Sequence, residues 1–495
     1  MREFRVLSIK RQKSDLFYGF KTAQIQKLIF PPVYILAARG IKMDIQKIKK
    51  QKVANLLQFA IPTTVGMILT TLVTLTDGYF TGNYVGSAGL VAVNLGLPIL
   101  YLYLAVGLMV GVGGSVISGI ENGASNRKKA NDIFNQSLVL TLLVTAGISI
   151  LLGLLFNPVM KLLRVPDEVV PLFHDYYSVF LIFCPLMVLD SVFGMFMRAD
   201  GKPEVYMGIN ILTVILNAVL DYVFAAKLGW GIRGIAFASL IILSLSVVLC
   251  SVYFLKTGRS AEQKGLHLAG FKWHRTEIAH TFLNGSSEFI GELAGCISMY
   301  CYNFVLLKYS GESGVAAFTV LSWSIYVFSM IAIGFGEGMS PLVSFCFGAK
   351  EFKLGVQLRK ITNRFVFSIG LIFAITLFFG AEVYARIFVR ETEIISMVVH
   401  GFKLFAPIFL LQGFNLIGSM YFTSCGMAKE SAVISSARGL VILLISIFVF
   451  STLWRLNGIW LTAPATELLT LGITEYFVFK ETKMTSNSNF PLSRP

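Results

Sequence analysis

Acidic side chains stand where so apolar a chain has little reason to keep them. Asp77 closes the first long apolar run, in TLTDGYF, and Asn217 and Asp221 lie four apart in NAVLDYVF. Glu288 and Glu292 are also four apart, in SSEFIGELAG, while Asp190, Glu337, Lys403, Glu467 and Glu475 complete the ionisable residues within apolar segments. An ionisable group at the centre of a bilayer costs at least about 2.5–3.5 kcal/mol on insertion scales, so each needs a reason to be there. A spacing of four puts two side chains on one helix face. The Asn217 amide and the Asp221 carboxylate would then offer oxygens to a proton or to Na⁺, a hard cation that prefers oxygen ligands. The same spacing also fits a structural bond in which Asn217 satisfies Asp221, and both readings stay open here. Two carboxylates on one apolar face, as at Glu288 and Glu292, cannot both carry charge cheaply. That suits proton exchange or capture of a cationic substrate; a hydrated Glu288 at the mouth of a cleft is the plainer alternative. Pro62 stands 15 residues before Asp77, about 22 Å along a helix. It removes a backbone hydrogen bond there and supplies a bending point.

The elements that must position these residues are membrane-spanning helices. Of the 495 residues, 55% are hydrophobic and only 14% charged, and the mean hydropathy is +0.72. Apolar stretches of about 20 residues alternate with short polar links, the length a helix needs to cross the hydrocarbon layer. Backbone groups in lipid must be bonded within their own segment, which makes these stretches helices. Twelve are predicted: an N-lobe of six over residues 53–255, a cytoplasmic linker over 256–280, a C-lobe of six over 281–479 and a cytoplasmic tail over 480–495. Residues 1–52 carry 13 Lys or Arg against three acids. Met43 opens a compact basic start, MDIQKIKKQK, directly before the first span, so translation is expected to begin there, with residues 1–42 an artefact of gene calling. The alternative is a cytoplasmic extension lying on anionic lipid.

The halves repeat. A shift of 225 residues places Gly89 on Gly314, Gly111 on Gly336, Gly113 on Gly338, Ser115 on Ser340, Gly123-Ala124 on Gly348-Ala349 and Gly201 on Gly426. A shift of 224 then pairs RGIAFAS (233–239) with NGIWLTA (457–463). Six spans return the chain to its starting side, so the copies are parallel, related by a two-fold axis along the membrane normal with a central cleft between them. Repeats of this kind mark secondary transporters, with sites near the midplane at the repeat interface. The formal charge of +15 is no sign of nucleic acid. Most Lys and Arg fall in the N-terminal segment, every second loop and the tail, which is the positive-inside asymmetry and puts both termini in the cytoplasm. The six cysteines form no CxxC pair, the five histidines form no ligand pattern, and no GxxxxGK[ST] loop is present. No enzyme, resident cofactor or nucleotide-driven motor is expected.

With these features together, the chain resembles the multidrug and toxic compound extrusion (MATE) transporters, in particular the bacterial branch similar to DNA-damage-inducible efflux proteins. The resemblance covers about residues 50–480 and rests on IPTTVGMILTTLVTLTDGYFTGNYVGSAGLVAVNL, MRADGKPEVYMGINILTVILNAVLDYVF and GIRGIAFAS. It implies an all-α, multi-pass protein of the plasma membrane, working as a monomer among membrane lipid. It also implies H⁺- or Na⁺-driven antiport of organic, often cationic, small molecules. The N-lobe cation site of related members falls on Asp77, Asn217, Asp221 and Ser239, the last a serine where those members carry threonine. A working glutamate of the seventh helix in other branches falls on Glu288 or Glu292. The rival within the same superfamily is a lipid-linked oligosaccharide flippase, which would want a cationic groove. A major-facilitator transporter lacks support, since the corresponding loop reads ENGASNRKKAND.

Overall fold

The computed structural model describes residues 43–259 and 265–486, so the expectation for residues 1–42 lies outside the described residues. Among the described residues, nine helices are long and apolar enough to cross a membrane. Two of these contain a residue with non-helical backbone, Gly311 in Arg275–Gly348 and Arg455 in Ala428–Lys483, and each is therefore two spans. The helices Thr392–Phe405 and Ile408–Ser424, bent by 55° at their junction, make one more span. The total is twelve.

The N-half runs through Lys52–Tyr84, the broken pair Ser87–Leu95 and Leu97–Gly123, Arg127–Leu154, Val170–Ala199, Pro203–Asp221 and Gly231–Arg259. The C-half begins at Arg275 and continues through Phe352–Phe388, the bent pair above, and the last two spans from Ala428 onward. The break at Gly96 is packed tightly. A Cβ there would lie 1.8 Å from the Tyr177 ring. The Tyr177 hydroxyl donates to the Val93 carbonyl at 2.9 Å, which satisfies a group the interruption frees.

Turn geometry repeats with the sequence. Backbone with positive φ occurs at Gly86 and Gly311, at Ser125 and Lys350, and at Gly201 and Gly426, each pair 225 residues apart. Gly231 and Arg455 form a further pair, 224 apart. The halves also meet as a two-fold requires. A Cβ on Gly123 would lie 2.1 Å from the Phe345 carbonyl oxygen, and one on Gly348 would lie 1.9 Å from that of Ile120. These two contacts exchange under the 225-residue shift. A Cβ on Gly113 would lie 3.1 Å from Gly285 N and one on Gly338 would lie 2.7 Å from Ala60 N, and these contacts exchange in the same way. Small residues let backbones come this close, and dispersion over such contacts holds helices together in lipid.

Two apolar cores result, one within each half. Their boundary is not the midpoint of the chain. Leu56, Phe59 and Ala60, at the start of the first span, belong to the core of the C-half, although the rest of that span runs alongside the fifth.

Candidate functional site

Three helices of the N-half converge on one polar cluster. Asp77 comes from the first span, Asn217 and Asp221 from the fifth, and Ser239 from the sixth. Asp221 is fully buried, Asn217 is 1% exposed and Ser239 9%. Asp77 lies within interaction range of Asp221, Asn217 and Ser239, and its Oδ2 accepts from Ser239 Oγ at 3.4 Å. Asp77 Oδ1, both carboxylate oxygens of Asp221 and both amide atoms of Asn217 are buried with no hydrogen-bond partner. The structural bond between Asn217 and Asp221 that the spacing allowed is therefore not formed. Buried polar atoms are rarely left unpaired, because each costs about 1–3 kcal/mol. A cluster of unmatched oxygens around two carboxylates is what a proton or a small hard cation can satisfy.

Local backbone helps to make this cluster. The fifth span changes from α to π at Tyr222–Lys227, directly after Asp221. Such a widened turn relaxes the regular hydrogen-bond ladder and recurs at functional sites. Thr81 Oγ1 donates to the Asp77 carbonyl at 2.7 Å and fixes the last turns of the first span. Pro62 lies inside that helix, which continues unbroken through it. Tyr176 of the fourth span is electrostatically close to both Asp77 and Asp221. Nothing distinguishes it in sequence, where it is one of 18 tyrosines.

The remaining acids separate by how well they are matched. Asp190 accepts from Ser246 Oγ at 2.5 Å and Tyr206 hydroxyl at 3.1 Å, so its role is to tie helices together. Glu467 takes Asn415 Nδ2 and Arg438 Nε, each at 2.7 Å, and Thr474 Oγ1 donates to Asn415 Oδ1 at 2.8 Å. Removing the carboxylate charge there is expected to lower thermal stability by about 1–3 kcal/mol. Glu467→Gln should thus show a reduced unfolding temperature while ion dependence of transport stays intact. Lys403 and Glu475 are exposed.

Glu288 and Glu292 of the seventh span sit between the halves and do not join the cluster around Asp77. Glu288 lines a small cavity of about 30 Å³ together with Arg198 of the fourth span and Glu337 of the eighth. Glu292 is close enough to Glu337 and to Tyr101 to interact electrostatically with both. Arg198 was not marked by the sequence, since it stands at a helix end in MRADGKPE and reads there as a loop cation. Among the described residues, no group of three or more His, Cys, Asp or Glu side chains could hold a metal ion.

Residues 62–223 and 293–451 match the MatE family. Multidrug export protein MepA of Staphylococcus haemolyticus is 21% identical over 427 residues, 86% of this chain and 92% of that protein. The FAD transporter of Shewanella oneidensis is 22% identical over 428 residues, 86% of this chain and 93% of its own length. Among solved structures, that of MATE in complex with MaL6 superposes with a TM-score of 0.82 at 20% identity, covering 87% of this chain and 97% of that one. The outward-facing conformation of a multidrug resistance MATE family transporter of the MOP superfamily gives 0.81 at 22% identity, with 87% and 96% covered.

Proposed function

This chain belongs to the MatE family of membrane transporters, and from that premise we propose that it is a secondary antiporter exporting organic, cationic or amphipathic compounds in exchange for H⁺ or Na⁺. The observation that carries the proposal is the convergence of Asp77, Asn217, Asp221 and Ser239, with most of their buried polar atoms left without a hydrogen-bond partner. One proton or one Na⁺ shared by the two carboxylates removes one unit of negative charge from the N-half; releasing it restores that charge. Burial makes that difference large, since an uncompensated charge in low dielectric is costly. The first helix carries both Asp77 and Pro62, so its bend can follow the charge and reshape the cleft. Coupling requires only that ion and substrate prefer different access states.

On this reading the basic loops face the cytoplasm. The close contacts of Gly123 and Gly348 lie at the ends that lead into these basic loops, so the halves meet on the basic face, which this reading assigns to the cytoplasm. The multidrug name of the staphylococcal relative supports the export of varied compounds. The acidic balance between the halves supports cations over the anionic head group of an oligosaccharide lipid, and that flippase alternative is not favoured.

The test is efflux of ethidium from proteoliposomes driven separately by ΔpH and by a Na⁺ gradient. One of the two is expected to drive it; ethidium transport driven by neither sinks the proposal. Two smaller effects follow. Ser239→Ala removes one oxygen from the ion and should weaken its apparent affinity about 2- to 12-fold, the equivalent of one hydrogen bond of about 0.5–1.5 kcal/mol. Ser239→Thr should not. Pro62→Ala should slow exchange on the order of tenfold with ion affinity unchanged, as expected for a hinge.

A further inference from the structure

The cavity between the halves lies on their pseudo-two-fold axis. Its lining contains the equivalent pairs Ser115 and Ser340, Met195 and Met420, and Val116 and Pro341. Two further pairs are unequal. Arg198 faces its counterpart Thr423, and Glu337 its counterpart Val112. In each of these pairs one half carries a charge and the other an uncharged side chain. Arg198 Nη2 comes within 2.8 Å of Glu337 Oε2, with both side chains under a tenth exposed, and the approach is not aligned as a hydrogen bond. Glu288 lines the same cavity, and the carboxylates of Glu288, Glu292 and Glu337 lie close enough to act on one another. The guanidinium pairs with one of these carboxylates, Glu337, and the other two crowd that pair.

We propose that Arg198 is an internal competitor for the cationic group of the substrate, set opposite a C-half carboxylate site formed by Glu288 and Glu337. The inference rests on the cation-export reading above and deepens it. All the carboxylates belong to the C-half, and Arg198 alone comes from the N-half. When the halves part on the basic face, Glu288 and Glu337 stay together and Glu337 loses its cation. A monovalent organic cation then takes its place. When the halves close again, Arg198 returns to Glu337 while the space shrinks to about 30 Å³, room for about two waters. A drug-sized ligand needs about ten times more. Release is thereby driven by replacing one cation with another, so Glu337 is never left unpaired in low dielectric.

The experiment compares ethidium binding and gradient-driven efflux for the whole protein in lipid. Arg198→Gln is expected to bind ethidium at least about fivefold tighter and to export it at least about tenfold more slowly, because the competitor is gone and the substrate stays. Arg198→Lys should restore both toward wild type. Glu337→Gln should weaken ethidium binding. A merely structural latch would give lower thermal stability with ethidium affinity unchanged or reduced in Arg198→Gln, and that result overturns the proposal. If Arg198→Gln does not insert, Glu337→Gln decides: weaker ethidium binding upholds the competitor, unchanged binding rejects it. Wild-type protein that neither binds nor exports ethidium rejects the cation-export reading, and the competitor with it. Normal wild-type export with unchanged affinity in the variants rejects the competitor alone.

Discussion

Asp221→Asn is expected to abolish ion-driven efflux while leaving the protein inserted and folded. The amide matches the carboxylate in shape, so the packing of the fifth span is kept. Neither Asp221 oxygen accepts from a neighbouring donor, so what the substitution takes away is the proton or ion shared with Asp77, together with the cost of a buried unmatched charge. The ion loses one charged ligand. A hydrogen bond or contact to a charged group is worth about 1.5–3 kcal/mol, so ion affinity should fall by roughly 10- to 150-fold. Gradient-driven ethidium efflux should drop to background, with the unfolding temperature equal to or slightly above that of the unmodified protein. Asp77→Asn should behave alike, and the double variant should be little worse than either, because the two carboxylates act as one unit. Unchanged efflux in Asp221→Asn would remove the N-half cluster from the mechanism.

Gly348→Val should hold the halves apart on the basic face. A Cβ at that position would lie 1.9 Å from the Ile120 carbonyl oxygen, which is backbone and cannot swing away. Overpacking of this kind costs about 1–3 kcal/mol or more. The closed arrangement should therefore lose about 5- to 150-fold in relative population. The readout is maleimide labelling of a cysteine placed at Ser340, in the axial cavity, with the native cysteines replaced. It should be slow in the parent and fast in the Gly348→Val variant. Gly123→Val makes the equivalent clash with Phe345 and should match it. A difference of more than about tenfold between the two would mean that the interface does not close as a two-fold.

Fold and site were not equally readable from sequence. Hydropathy marks the spans because lipid imposes one rule on every backbone group, and a constant offset between glycines marks the repeat because close helix contacts tolerate little else. The same offset carried the turns, down to Ser125 and Lys350, whose positive φ neither residue type announces. Asp77, Asn217 and Asp221 stood out because charge in an apolar run is rare. Three things were hidden. The crossing of Leu56–Ala60 into the opposite core depends on the angle between helices, which periodicity does not encode. The difference between a matched acid such as Glu467 and an unmatched one such as Asp221 depends on partners from other helices. Arg198 looked like any cation at a helix end, because only the assembled halves bury it.

The division of the first span between two cores bears on how the protein is made. Leu56, Phe59 and Ala60 leave the ribosome early, yet members of the same core such as Met339 and Leu342 follow almost 300 residues later. Until the eighth span inserts, this stretch has only lipid or a chaperone to cover it. The N-half is thus an incomplete folding unit despite its own core, and biogenesis should show a late step in which the first helix is captured by the second half. A chain cut in the loop before Arg275 would keep its ion-binding residues and lose the anchor at the other end of the helix that bears Asp77.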